Sequence, residues 1–155
     1  MKKALFAALL IMLSACTESD DPKVLFDQGK YEEASMLWQP LANKGDPVAQ
    51  NYMGIIYYLG LGKARNYKVA LEWFEKSAVS GFADAEYNLG VMYENGESVK
   101  KDYVTAYKWF YLAKENGNTH AEKRMQAMAE EHKLFPNQMK RAVELSKQAL
   151  IKQRS

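Results

Sequence analysis

The few residues of this chain that could do acid–base or metal chemistry do not form a recognisable site. His120 and His132 are the two histidines, and neither has a second ligand at the spacing that a zinc site uses. Glu130 and Glu131 are neighbours on a predicted helix, so their carboxylates point in different directions and cannot act as an acid–base pair. The segment GLGK at 60–63 lacks the spacing of a phosphate-binding loop. The sequence therefore predicts no catalytic residue, no metal site and no cofactor.

The single cysteine, Cys16, follows a segment that is typical of an export signal. Two lysines precede an apolar run over 4–13, which is much shorter than the roughly twenty residues that span a bilayer. The segment LSAC at 13–16 resembles the lipobox of bacterial lipoproteins, in which the cysteine is acylated and becomes the first mature residue. The resemblance implies a signal peptide over 1–15, a lipid on Cys16 and a short polar tether over 16–22. Ordinary secretion with a free thiol is the alternative.

The same resemblance predicts where the protein resides. Thr17 follows the cysteine at the position where an aspartate favours retention in the inner membrane. We therefore expect attachment to the outer membrane of a bacterial cell envelope, with the domain facing the periplasm. The chain has 21 basic and 19 acidic residues, and two of the lysines lie in the predicted leader, so the mature chain has no net charge. This balance does not favour a nucleic-acid partner.

Beyond the leader, the chain repeats itself at intervals of 36 residues. Equivalent positions carry the same residue type in two or three copies: Ala49, Ala85 and Ala121; Gly54 and Gly90; Gly60 and Gly96; Trp73 and Trp109; Phe74 and Phe110; Gly45, Gly81 and Gly117. The apolar spacing predicts two helices in each unit, about 83–95 and 103–115 in the second copy.

Gly90 lies in the middle of a predicted helix, where glycine costs roughly 1 kcal/mol relative to alanine. We expect this glycine to face the partner helix, because the absence of a side chain lets two helices approach closely. Gly96 should end the helix and begin the turn. Gly54 and Gly60 should do the same in the first copy.

The segments AQNYMGIIYYLGLGKARNYKVALEWFEKSAVSG and AEYNLGVMYENGESVKKDYVTAYKWFYLAKENG resemble the Sel1-like repeat, a relative of the tetratricopeptide repeat. The resemblance implies an all-α fold, an α-solenoid of helix-turn-helix repeats over 23–135. Full repeats are expected at about 49–84 and 85–120, with a half repeat at 23–48 and a degenerate one at 121–135. Departures from the pattern are mild: Met53 replaces a leucine, Ser98 replaces a second turn glycine and Asn66 replaces an aspartate.

A last helix is predicted over 136–155, beginning at Pro136. Pro-initiated helices of this kind close many proteins of the family that the repeats resemble. Its lysines and arginines indicate a solvated outer face. Contact with a membrane surface or an anionic partner is the alternative interpretation.

The resemblance implies that the protein binds a protein or peptide partner, as a scaffold or adaptor without catalysis. By analogy with tetratricopeptide proteins, the first helix of each unit should line the concave face. The candidate partner-binding residues are Asn51, Ile55, Tyr58, Tyr87, Val91, Glu94, Lys123 and Glu130. Two alternatives stay open: a protein that binds or cleaves cell-wall peptidoglycan, and a structural stabiliser that uses its convex face. Some cysteine-rich members of the family are linked to penicillin binding, but this chain lacks those cysteines.

Overall fold

A computed structural model of the chain describes residues 21–131 and 134–155. Within these ranges the chain forms eight α-helices and no strand, which confirms the all-α prediction. The helices are α1 (Pro22–Asp27), α2 (Tyr31–Asn43), α3 (Pro47–Leu59), α4 (Tyr67–Val79), α5 (Ala83–Asn95), α6 (Tyr103–Glu115), α7 (Ala121–Glu131) and α8 (Pro136–Arg154). Up to α7, each helix packs against the next one in the chain. We call α3, α5 and α7 the first helices, and α2, α4 and α6 the second helices.

The predicted signal peptide over 1–15, the predicted acylation site Cys16 and His132 lie outside the described residues. Asp21 caps α1 by accepting a hydrogen bond from the backbone N–H of Lys23 at 2.8 Å. The tether expected over 16–22 is thus one residue too long, because Pro22 already belongs to α1. No helix of the described ranges is long and apolar enough to cross a membrane.

The two full repeats close their turns with the same hydrogen bonds. Gly60 and Gly96 end α3 and α5 in the left-handed conformation, at φ 74° and 77°. The backbone N–H of Asn66 donates to the carbonyl of Tyr57 at 2.8 Å, and the N–H of Asp102 donates to the carbonyl of Tyr93 at 3.0 Å. The side chains of Asn66 and Asp102 also cap α4 and α6. These bonds fix the angle at which each second helix returns along its first helix.

The mid-helix glycines confirm the predicted close packing. A methyl group built on Gly90 would lie 2.5 Å from Cε1 of Phe110, which is fully buried in α6. Gly54 stands in the same relation to Phe74 of α4, with Cδ1 at 2.5 Å. In each repeat, therefore, the ring of the second helix occupies the space that a side chain of the first helix would fill.

The last helix packs mainly on α6 and does not continue the stacking. Its buried residues are Ala142, Ser146 and Leu150. The hydroxyl of Ser146 donates to the carbonyl of Lys108 at 3.1 Å. Near the other end, Gln153 donates to the carbonyl of Ala78 at 2.9 Å, so α8 reaches back to the end of α4. Its lysines and arginines are exposed.

A buried carboxylate joins α8 to the repeats. Glu86 in α5 is fully buried, and its oxygens accept hydrogen bonds from Nδ2 of Asn116 at 2.9 and 3.0 Å. Nε2 of Gln153 donates a further bond at 2.9 Å. Burial raises the pKa of Glu86, and the hydrogen bonds from the two amides oppose that shift. The carboxyl group of Glu86 is therefore held by neutral amides.

Candidate functional site

The exposed sides of the first helices form a continuous groove across three helices. One depression of about 280 Å³ lies between α3 and α5, and a second of about 400 Å³ adjoins it at Ile55 and Asn88. A third depression, on α5 and α7, adjoins the second at Tyr87 and His120. We call this surface the first-helix groove. Its lining residues include Ile55, Tyr58, Tyr87, Asn88, Val91, His120 and Lys123.

The apolar part of the groove comes from half-buried side chains that the sequence had identified. Ile55, Tyr58 and Val91 line the first depression, and Tyr87 lies between the second and third. Each is partly exposed because the helix packing covers only one side of it. Such side chains offer apolar area to a ligand with little loss of side-chain entropy, since they are already held in place.

The two tyrosines are positioned by different contacts. The hydroxyl of Tyr58 donates to Oε2 of Glu97 at 2.7 Å. Burial raises the pKa of Tyr58, and the bond to Glu97 and the charge of that carboxylate raise it further, so the hydroxyl stays neutral. The ring of Tyr87 lies 5.2 Å from the ring of Phe110. Both tyrosine side chains are therefore held in place where they line the groove.

Amide side chains form the polar part of the floor. Nδ2 of Asn88 donates to Oδ1 of Asn51 at 3.0 Å, which links α5 to α3. Asn118 donates to Oδ1 of Asp84 at 2.8 Å and accepts from the backbone N–H of His120 at 3.0 Å. At the α7 end, His120, Lys123 and Arg124 line the third depression. The groove thus changes from apolar at α3 to polar at α7, where Arg124 is paired with Glu94.

Two of the predicted groove residues are structural. Glu94 is only 5% exposed, and Nε and Nη2 of Arg124 donate to its carboxylate at 2.9 and 2.6 Å. This ion pair between α5 and α7 removes Glu94 from the candidate binding residues. Asn51 is 3% exposed, so it supports Asn88 from below and offers little surface of its own. Both assignments were wrong about exposure because the facing residue of the next unit covers the side chain.

The remaining candidates are exposed but differ in position. Lys123 lines the third depression, whereas Glu130, at the end of α7, lines none of the three. Asn88 and His120 belong to the groove although the sequence did not indicate them. Asn88 could have been found, because it lies one helical turn before Val91 on the stripe that contains Tyr87 and Val91.

The groups that line the groove can make apolar contacts and hydrogen bonds to a ligand. The groove brings together apolar side chains at α3, amides in the middle and polar side chains at α7. Within residues 21–131 and 134–155, no group of three or more His, Cys, Asp or Glu side chains could hold a metal ion.

The comparisons with known proteins agree with this architecture. The family model of the Sel1 repeat matches residues 47–81 and 83–118. A Sel1 repeat protein from Oxalobacter formigenes superposes with a TM-score of 0.66 at 36% identity, covering 72% of this chain and 46% of that one. The protein c5321, a protective antigen present in uropathogenic Escherichia coli strains displaying an SLR fold, superposes with a TM-score of 0.77 at 28% identity. That match covers 84% of this chain and 28% of c5321.

These matches confirm the predicted solenoid of Sel1-like repeats. The chain spans less than half the length of either solved structure. No curated protein matches the sequence.

Proposed function

Because this chain carries two Sel1 repeats, at 47–81 and 83–118, we propose that it is a lipid-anchored interaction scaffold of the bacterial cell envelope. The first-helix groove binds a protein or peptide partner, and the lipid on Cys16 attaches the scaffold to the outer membrane on its periplasmic side. Binding, without catalysis, is its activity. Sel1 repeat proteins are typically scaffolds for protein–protein interaction, and the assignment to this groove is our own.

The observation that supports the proposal most strongly is the continuity of the groove. Three depressions share lining residues across α3, α5 and α7, so an extended or helical segment could lie along all of them. Half-buried aromatic and aliphatic side chains with amides beside them resemble the anchor positions of protein interfaces. An enzyme acting on a glycan would instead require convergent acid and base groups in an enclosed cleft.

The proposed anchor depends on the leader. A basic start, a short apolar run and the segment LSAC precede the folded part, and only residues 17–20 separate Cys16 from the α1 cap. One acyl chain gives marginal membrane binding, and two or more give a stable attachment. A lipid-modified Cys16 would therefore hold the scaffold permanently at a bilayer.

Paired charge substitutions test the groove. Ile55→Arg with Val91→Arg places two cations in the apolar depressions, where they should weaken binding. Val79→Arg makes the same chemical change on α4, at a side chain that is 76% exposed and lies outside the groove. Each form is first shown to fold by thermal melting, and its partner is then captured by crosslinking in intact envelopes.

We expect one protein to be captured by the native and Val79→Arg forms and lost with the double variant. When purified, the captured protein should bind the native and Val79→Arg forms with similar affinity and the double variant more weakly. Equal capture by all three forms would exclude the groove as the binding site. Recovery of glycan fragments in place of a protein would contradict the scaffold and favour the cell-wall alternative.

A further inference from the structure

The outward face of α2 is apolar and uncovered. Met36 is 71% exposed, Leu37 is 37% exposed and Leu41 is 41% exposed, and Pro40 between them is exposed as well. Their spacing places all four side chains on one stripe of the helix. No charged residue occurs between Glu33 and Lys44. We call Met36, Leu37, Pro40 and Leu41 the α2 patch.

The equivalent face of α4 is protected by charge. At the repeat interval of 36, Met36 corresponds to Glu72 and Pro40 to Lys76, both of which are exposed. Trp73, which corresponds to Leu37, lies under Nζ of Lys76, with 4.3 Å from the nitrogen to the ring centre. Ser77, which corresponds to Leu41, is fully buried and donates to the carbonyl of Pro47 at 2.6 Å, so the exposed part of this face is covered by charge.

The equivalent face of α6 is apolar in part and is covered by α8. Leu112, which corresponds to Pro40, is fully buried, and with Trp109 it borders the depression between α6 and α8. The carbonyl of Lys108, which corresponds to Met36, accepts the hydrogen bond from Ser146. Of the three second helices, all of which are described, α2 alone has an apolar outward face without charge or a covering helix. We therefore expect an element outside the described residues to cover the α2 patch.

What covers the α2 patch can be inferred from the short distance between α1 and the proposed anchor at Cys16. Five peptide units join Cys16 to Asp21, and a fully extended chain of that length spans at most about 18 Å. Asp21 caps α1, and α1 packs directly on α2. With Cys16 acylated, α2 is held next to the lipid headgroups at a high effective concentration. A patch too small to bind a bilayer by itself can then still set the orientation of the anchored domain.

We propose that the α2 patch lies against the membrane surface in the anchored protein. The inference rests on the proposed acylation of Cys16. Contact through a second helix leaves the first-helix groove accessible to a partner, since the groove is built on α3, α5 and α7. The lipid and the patch together thus hold the scaffold in one orientation.

A single environment-sensitive label tests the contact. Met36→Cys is introduced into the full chain, which is expressed with its leader so that Cys16 can be acylated. Acylation blocks the thiol of Cys16, leaving one thiol for a nitrobenzoxadiazole fluorophore. Glu72→Cys is the matched control, because it is exposed and occupies the same repeat position on α4. Both proteins are reconstituted into vesicles of phosphatidylethanolamine and phosphatidylglycerol.

At position 36 we expect a blue-shifted emission that brominated lipids quench, and at position 72 an unshifted, unquenched emission. Equal, unquenched emission at both positions in protein whose intact mass shows acylation would overturn the inference while leaving the anchor intact. A shift at position 36 that appears in detergent and grows with protein concentration would assign the patch to a second copy and also overturn it. An unmodified Cys16, seen by mass and as two labels per chain, would refute the anchor itself and the inference with it.

Discussion

Replacing Gly90 by alanine should destabilise the protein, although alanine is the better helix former. The added methyl group would lie 2.5 Å from Cε1, 2.6 Å from Cδ1 and 2.9 Å from Cζ of Phe110. The Phe110 ring is fully buried, so it cannot move aside into solvent. Either the ring or the contact between α5 and α6 must give way.

The expected magnitude follows from two opposed contributions. Alanine in place of a helix-interior glycine gains about 1 kcal/mol from helix propensity. Overpacking a well-filled core costs typically about 1–3 kcal/mol, and contact with three atoms of a buried ring places this change at the upper end. The net loss should be about 2 kcal/mol, which corresponds to a fall of about 4–8 °C in melting temperature for a domain of this size.

A double-mutant cycle isolates the steric contribution. Phe110→Leu removes Cε1 and Cζ, the atoms at 2.5 and 2.9 Å from the added methyl group, and replaces the rigid Cδ1, at 2.6 Å, by a methyl group that can rotate away. Gly90→Ala should then be neutral or stabilising in the Phe110→Leu background, giving a coupling energy of about 2 kcal/mol. Urea denaturation followed by circular dichroism measures all four forms.

Two results would refute this reasoning. If Gly90→Ala stabilised the native protein, the glycine would not be required by packing. If the substitution cost the same with and without the Phe110 ring, the loss would come from some other contact. The pair Gly54 and Phe74 provides an independent repetition, because its geometry is nearly the same.

Three further features of the structure predict the effects of substitutions. Ser98 lies in the left-handed region at φ 61°, which strains a residue with a side chain. Ser98→Gly should therefore stabilise the fold by about 0.5–1 kcal/mol in urea denaturation, because the relief of this strain exceeds the added freedom of the unfolded chain. Gly62→Ser, the reverse change at the equivalent position of the first repeat, should destabilise the fold. Arg124→Met should cost about 2–3 kcal/mol by removing the guanidinium that pairs with the buried Glu94 carboxylate, and adding Glu94→Gln should restore most of the loss, as thermal melts of both variants would test. Because the pKa of Glu86 is raised on folding, the folded chain binds the proton of this carboxyl group more tightly than the unfolded chain does. The stabilisation that this proton gives is complete below the ordinary pKa of glutamate and is lost as pH rises through the raised pKa. The native protein should therefore lose stability relative to Glu86→Gln as pH rises above about 4.3, whereas a constant difference across pH would contradict the shift.

The repeat made most of the fold predictable from the sequence. Matching positions at intervals of 36 residues identified the helices and the role of Gly90, since in each repeat the same glycine packs against the same phenylalanine. Gly96 could be assigned to the turn because a helix end and a left-handed residue are local features.

Contacts that do not recur at equivalent positions of the repeats could not be predicted. Gln153 reaches Glu86 across 67 residues from a helix that has no counterpart in the repeats. Glu94 was expected on an open face, but Arg124 of the next unit covers it, and repeat spacing alone does not indicate which facing residue is long and charged. The apolar stripe of the groove could be predicted, because helical spacing alone places Tyr87 and Val91 on the same side of α5.

The central claim, that the first-helix groove holds a protein partner, can be tested most directly by photo-crosslinking in cells. A benzophenone amino acid is placed at Ile55, in the groove, and at Glu75, which is exposed on α4 outside it. We predict a discrete adduct with one envelope protein from position 55 and none from position 75. An adduct from position 75 alone, or none from position 55 while the protein is folded and present in the envelope, would contradict the account.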